Sequence, residues 1–238
     1  MSKKDAAAKD ILNFDKASAS DRKLFLKVGE VIFTQASLQL LRDKHITGEG
    51  KTDEELKEEL LAQVREQFRP GKSSFTLTID YADRLLSDAR KFSRQQELEL
   101  SALYFATYFE HRLNWLIAQL CERNRIQDST TRQILRDTNI RAKYSWVLEL
   151  LGEKPIRPSI TKVISTISEI RNSFVHYKWP KGTFADNLTE LTKERLISSL
   201  KKAETVVKHF RKLEETWLYS GHGKRVRRIS RAHAKGLK

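Results

Sequence analysis

Leu98, Ala102, Phe105, Phe109, Leu113, Leu116 and Leu120 recur every three or four residues. A period near 3.6 gathers all of them on one stripe of a helix, whereas a strand would divide them between two faces. With four Pro and nine Gly in 238 residues, little interrupts such runs. The spacing predicts one long amphipathic helix from about Tyr81 to Arg123. A second stripe, Ile160, Val163, Ile164, Ile167, Ile170 and Phe174, predicts another, closed by Pro180-Lys181-Gly182. A third, Leu196, Leu200, Ala203, Val207, Phe210 and Trp217, predicts a helix from about Thr189 to Tyr219. Between them, "DSTTRQILRDTNIRAKYSWVLELLG" offers a cap at Asp128 or Ser129, two shorter helical pieces and a stop at Gly152. Amphipathic helices joined by short turns argue for an all-α, up-and-down bundle.

The first 80 residues read as a helical extension of that bundle. Residues 1–20 are polar. Ser20-Asp21 offers an N-cap to an apolar helix running to His45, and "ITGEGK" is a turn. Thr52 and Glu55 have capping-box spacing ahead of a salt-laced helix that Arg69-Pro70-Gly71 stops. "SSFTLTID" alternates like a short strand. The expected division is 1–80 extension, 81–220 bundle and 221–238 tail.

Charge points to a partner class. The net charge is +14, and the last 18 residues, "GHGKRVRRISRAHAKGLK", hold seven Lys/Arg and no acid. The segment reads as an unstructured arm that neutralises phosphates, with Lys224, Arg225, Arg227, Arg228 and Arg231 as RNA contacts. A solubilising tail or an acidic-lipid contact would have the same composition. No apolar run approaches the roughly 20 residues that span a bilayer, and the N-terminus lacks the apolar core of a secretion signal. The single Cys121 leaves no internal disulfide and no Cys-based zinc cluster. A cytoplasmic protein without metal or other cofactor is expected.

The stretch "EIRNSFVHYKWP", residues 169–180, sets an Arg-Asn pair and a His among Ile, Phe, Val and Trp. Asn172 and His176 are four apart and share a helix face, which Thr161, Ser165 and Ser168 extend backwards as small polar residues. Arg171 lies beside that face. Close to a helix C-terminus, unpaired carbonyls favour an imidazolium while the nearby Arg opposes it, a balance that suits a general acid or base. Taken alone, His176 fits a structural histidine equally well, and Glu110 a surface or helix-pairing residue. Tyr104, Tyr108 and Trp115 fit core or interface aromatics, with base stacking as the alternative. His45, His111 and His209 stand singly, without ligand-spaced companions.

"RNSFVH" resembles the Arg-x4–6-His motif of HEPN domains, whose members often carry a polar residue after the Arg. The resemblance spans about residues 81–219 and includes the motif's place late in the penultimate helix. "YFATYFEHRLNWLI" is similar to the corresponding earlier helix of abortive-infection members, with Glu110 at the acidic position. The resemblance implies a metal-independent endoribonuclease, a toxin or anti-phage effector, acting as a homodimer with two motifs in one cleft. It implies Arg171, Asn172, His176 and Glu110 as catalytic residues, Lys178 as a phosphate contact, and a protein or RNA antitoxin as a further partner. A non-catalytic module of the same family, binding RNA, nucleotide or a protein, is the alternative. One toxin branch carries His-x-Tyr as a modification site; here Tyr177 directly follows His176, so that regulation is not implied. "RISRAH", Arg228 to His233, also has the motif's spacing, but in a tail expected to lack a packed face.

Overall fold

The structure, a computed structural model, describes residues 18–69, 81–175 and 190–236. The strand expected within 73–80 and the turn at 180–182 lie outside them. All regular structure among the described residues is helical, and none of their helices is long and apolar enough to cross a membrane. The chain forms two compact units, and the boundaries differ from those expected: the tail belongs with the N-terminal helices, the change falling between Leu218 and Tyr219.

The first unit contains α1 (Ala19–Arg42), α2 (Asp53–Gln67) and α10 (Gly223–Gly236). The cap of α1 is Ser18 rather than Ser20; its Oγ accepts from the Asp21 N–H at 3.1 Å. At α2 the capping box forms as expected, the Glu55 N–H donating to Thr52 Oγ1 and the Thr52 N–H to Glu55 Oε2. Leu56, Leu60 and Val64, spaced by four, bury the inner face of α2.

The tail is not an unstructured arm. It is helix α10, because Val226, Ile229 and Ser230 fall on one side and are buried there, and the His233 ring lies 5.3 Å from that of Phe33 on α1. Arg225 fixes the helix to the loop before α2: Nε donates to Asp53 Oδ1 at 2.6 Å, Nη1 to the Gly48 carbonyl at 2.9 Å and Nη2 to the Lys51 carbonyl at 2.6 Å. Gly48 sits under the His222 ring, where a Cβ would come within 2.6 Å of it, so a side chain there would push α10 off its seat. High charge density had hidden a narrow apolar face.

The second unit contains α3 (Ala82–Arg94), α4 (Leu98–Arg123), short helices α5 (Asp128–Asp137), α6 (Ile140–Lys143) and α7 (Trp146–Leu150), then α8 (Pro158–Val175), α9 (Glu190–Leu213) and a π-helical turn, Glu214–Leu218. The long helix expected over 81–123 is broken in two. Gln96 takes a left-handed φ of 62° and the Glu97 N–H reaches back to the Phe92 carbonyl, so α3 folds against α4. The polar run Arg94–Glu97 has no apolar residue to keep a continuous stripe, and small side chains close the hairpin. Ala89, Ser101 and Ala102 are fully buried, and Ser101 Oγ donates to the Ala89 carbonyl at 3.0 Å.

The core of this unit is the three expected stripes brought together: Phe109, Leu113 and Leu116 of α4, Ile164 and Ile167 of α8, Leu196, Val207 and Phe210 of α9. The Phe109 and Phe210 rings are 6.2 Å apart. Burying each such side chain contributes about 1.5–3 kcal/mol. Tyr108 is buried, Tyr104 stacks on Phe92, and Arg112 lies over the Trp115 ring. These aromatics serve packing.

Candidate functional site

Helices α4 and α8 run antiparallel. The C-terminal end of α4 is tied to the segment entering α8, with Arg123 Nη2 on Glu153 Oε1 at 2.9 Å and Asn124 Nδ2 on the Leu151 carbonyl at 3.1 Å. Arg123 Nη1 also donates to the Trp217 carbonyl. Thirteen residues earlier on α4 stands Glu110, which is partly exposed.

Arg171 Nη1 donates to Glu110 Oε2 at 3.1 Å, and Arg171 Nε donates to Asn172 Oδ1 at 3.0 Å. The side chains of Arg171 and Glu110 keep 25% and 39% of their surface, so the pair sits at the mouth of the seam rather than inside it. Arg171 Nη2 and Glu110 Oε1 have no partner among the described residues. The structure thus brings together three of the four residues singled out for chemistry. The fourth, His176, lies outside the described residues, as do Tyr177 and Lys178.

One turn deeper the seam stays polar. Asn114 Oδ1 on α4 and Ser168 Oγ on α8 are both buried without a hydrogen-bond partner among the described residues. Buried polar atoms are nearly always paired, and an unpaired one costs about 1–3 kcal/mol. Two such atoms, one on each helix of the seam, mark side chains whose packing was not optimised.

A further cation was not legible in the sequence. Lys143 on α6 is 4% exposed, and its Nζ donates to the Leu135 carbonyl at 2.6 Å, closing the last turn of α5. Burial lowers its pKa, while the charge of Glu110 opposes that fall. Glu110 therefore stands in the field of two cations, Arg171 and Lys143, and the locus favours an added anion. "RAKY" carries no periodicity that would have drawn attention to the Lys; only the fold of α5–α7 turns it inward.

The small polar face of α8 is less open than its composition suggested. Tyr144 covers it, its hydroxyl 3.2 Å from Ser165 Oγ, and Ser168 is buried. Thr161 Oγ1 is spent on the Pro158 carbonyl. Asn172 alone of the described residues on this face is exposed.

Of the residues expected to meet RNA from the tail, Arg225 is committed to holding α10 in place, as above. Arg228 Nη2 pairs with Asp53 Oδ2 at 2.6 Å but keeps 69% of its side-chain surface, and Arg231 keeps 68%. Asp53 is held below the ordinary carboxylate range, chiefly by the Arg225 hydrogen bond. The tail's own Arg-x4-His copy has the packed helix it was expected to lack, and Arg228 and His233 line one groove of about 530 Å³ with Asp53, Glu54 and Lys57. Among the described residues no three His, Cys, Asp or Glu side chains gather as a metal site.

No protein-family model matches this chain, no curated protein matches it, and no solved structure does. Its functional reading rests on these side chains and on the motif they carry.

Proposed function

We propose that this chain is an endoribonuclease of the HEPN type, cleaving RNA by attack of a ribose 2′-hydroxyl on the adjacent phosphodiester and acting as a toxin or anti-phage effector. The observation that carries the reading is the half-used guanidinium of Arg171. Glu110 and Asn172 hold it through Nη1 and Nε, and Nη2 has no partner among the described residues.

In this reading His176 takes the proton from the 2′-hydroxyl as the O2′–P bond forms. The P–O5′ bond breaks, and a second imidazole, from another copy of the chain, gives the departing 5′-oxygen its proton. Arg171 stabilises the extra negative charge on the phosphorane oxygens, the task for which a planar, permanently charged fork is suited. Glu110 and Asn172 are positioning residues: they fix the plane of the fork before substrate arrives, so orientation is not lost at the moment of reaction. Lys143 adds positive potential without touching solvent. The products are a 2′,3′-cyclic phosphate and a 5′-hydroxyl.

A non-catalytic RNA-binding module is the second reading, favoured by the arginine-rich surface of α10. Incubation of the purified chain with RNA in EDTA separates the two. Cleavage that His176→Ala removes supports the enzyme, and RNA bound but left intact supports the module.

A further inference from the structure

One helix of the first unit divides its cations between two jobs. At about 100° per residue, Lys224, Arg227, Arg228 and Arg231 fall within one arc of roughly 100°, opposite the buried Val226, Ile229 and Ser230. Together with Ala232 they line a groove of about 480 Å³ that contains no acidic residue. Arg227 is aimed by the Tyr219 ring, 5.2 Å from its guanidinium carbon. Arg225, on the flank, fastens the helix by its three contacts. The arc runs two helical turns, about 10.5 Å.

We propose that α10 is a preformed RNA-docking helix whose Lys224–Arg231 face receives the phosphate backbone of a strand. The choice of RNA over other polyanions rests on the ribonuclease reading; the docking face itself stands on the geometry of α10. An anionic membrane fits less well, because surface-binding helices sink an apolar face into the headgroup boundary, and the apolar face of α10 is already buried against its own unit. No large apolar residue lines the groove. A fixed row of guanidiniums also differs from a flexible arm in its cost: the side chains are presented on a folded helix, so little backbone entropy is lost on binding. Arg228 pairs with Asp53 at 2.6 Å and Arg231 lies 3.9 Å from Glu30, contacts that a phosphate must displace or share.

The test measures binding of the full-length chain to a labelled RNA hairpin, 2′-O-methylated so that cleavage does not intervene, across a salt series. Wild type is compared with K224E/R227E/R231E and with the milder K224Q/R227Q/R231Q, helical content and melting temperature being recorded for each. The proposal expects the charge reversal to weaken binding at least about tenfold near 0.1 M salt, and to make the slope of log affinity against log salt shallower by about 2. The Gln variant should fall between, and its result decides if the Glu variant does not fold. Unchanged affinity and slope in a folded variant overturn the proposal, as does wild-type binding to phosphatidylserine vesicles or polyglutamate that is tighter than binding to RNA. Unmodified RNA of the same sequence, bound in this way but never cleaved, would remove the ribonuclease reading and leave the docking face standing. Cleavage of the unmodified RNA, with affinity for the methylated hairpin unaltered in the variants, would do the reverse.

Discussion

Two ion pairs bridge helices of the same bundle and differ in one respect. On the α3–α9 seam, Arg90 meets Glu204 with both prongs, Nε on Oε1 at 2.7 Å and Nη2 on Oε2 at 2.8 Å. On the α4–α8 seam, Arg171 gives Glu110 a single prong and spends Nε on its neighbour Asn172. Exposure does not explain the contrast, for the side chains of Arg90 and Glu204 are each 42% exposed, more than either Arg171 or Glu110. The difference is saturation. A bidentate pair has used its directional capacity and acts as a clamp; a monodentate one keeps donors that a phosphate oxygen can take. Arg225 and Arg231 repeat the lesson on α10, the first with three short bonds and the second with a carboxylate at 3.9 Å.

Mutations at the two seams should therefore separate. Arg171→Ala is expected to lower the RNA-cleavage rate by about 10²–10³-fold, the cost of removing one oxyanion-stabilising donor, with little change in melting temperature. Arg171→Lys keeps the charge but not the fork and should recover only a small part of that loss. Arg90→Ala should change cleavage by less than about threefold and stability by about 0–1 kcal/mol in chemical denaturation. Equal losses of cleavage at Arg90 and Arg171 would erase the distinction between clamp and ligand.

Arg123→Ala probes the closed end of α4. It strands Glu153, whose side chain is 15% exposed, and frees the Trp217 carbonyl, so a loss of about 3 kcal/mol is expected in a denaturant titration. The smallest effect is a pH dependence. His209 on α9 has a lowered pKa, through burial first and then through Arg157 and Lys212, and its Nε2 is buried without a partner among the described residues. The folded state thus disfavours the imidazolium that the unfolded chain accepts near pH 6.5. This contribution is fully present above pH 6.5 and declines as pH falls through the lowered folded value. His209→Gln should flatten that part of the melting-temperature profile, and an unaltered profile would show that another group governs it.

Much of the second unit was legible because burial writes itself as periodicity: Phe109, Ile164 and Phe210 each sat on a recognisable stripe, and all three meet in the core. The break at Gln96 was not legible, since a four-residue polar interval is also what an exposed face of a continuous helix looks like. The docking of α10 was missed for the opposite reason. Its buried side needs only Val226, Ile229 and Ser230, too few to stand out among the helix's six cations, and its anchor is Arg225, whose partners lie over 170 residues away. At the site, Glu110 and Arg171 were named separately from a motif and found in contact, 61 positions apart. Ser168 stood on the small polar face read from the sequence, whereas Lys143 and Asn114 carry no sequence pattern at all; only the fold of α4 and of α5–α7 turns them inward.

Two Arg-x4-His pairs compete for the role of catalytic pair, one reaching into residues 176–189 and one on α10. Cleavage of RNA by the purified chain in EDTA, comparing His176→Ala and His233→Ala with wild type, tests the central claim most directly. The account predicts fragments ending in 2′,3′-cyclic phosphate from wild type and from His233→Ala, and a loss of about 10²–10⁴-fold in His176→Ala. Full activity in His176→Ala, or activity lost in His233→Ala instead, would contradict it.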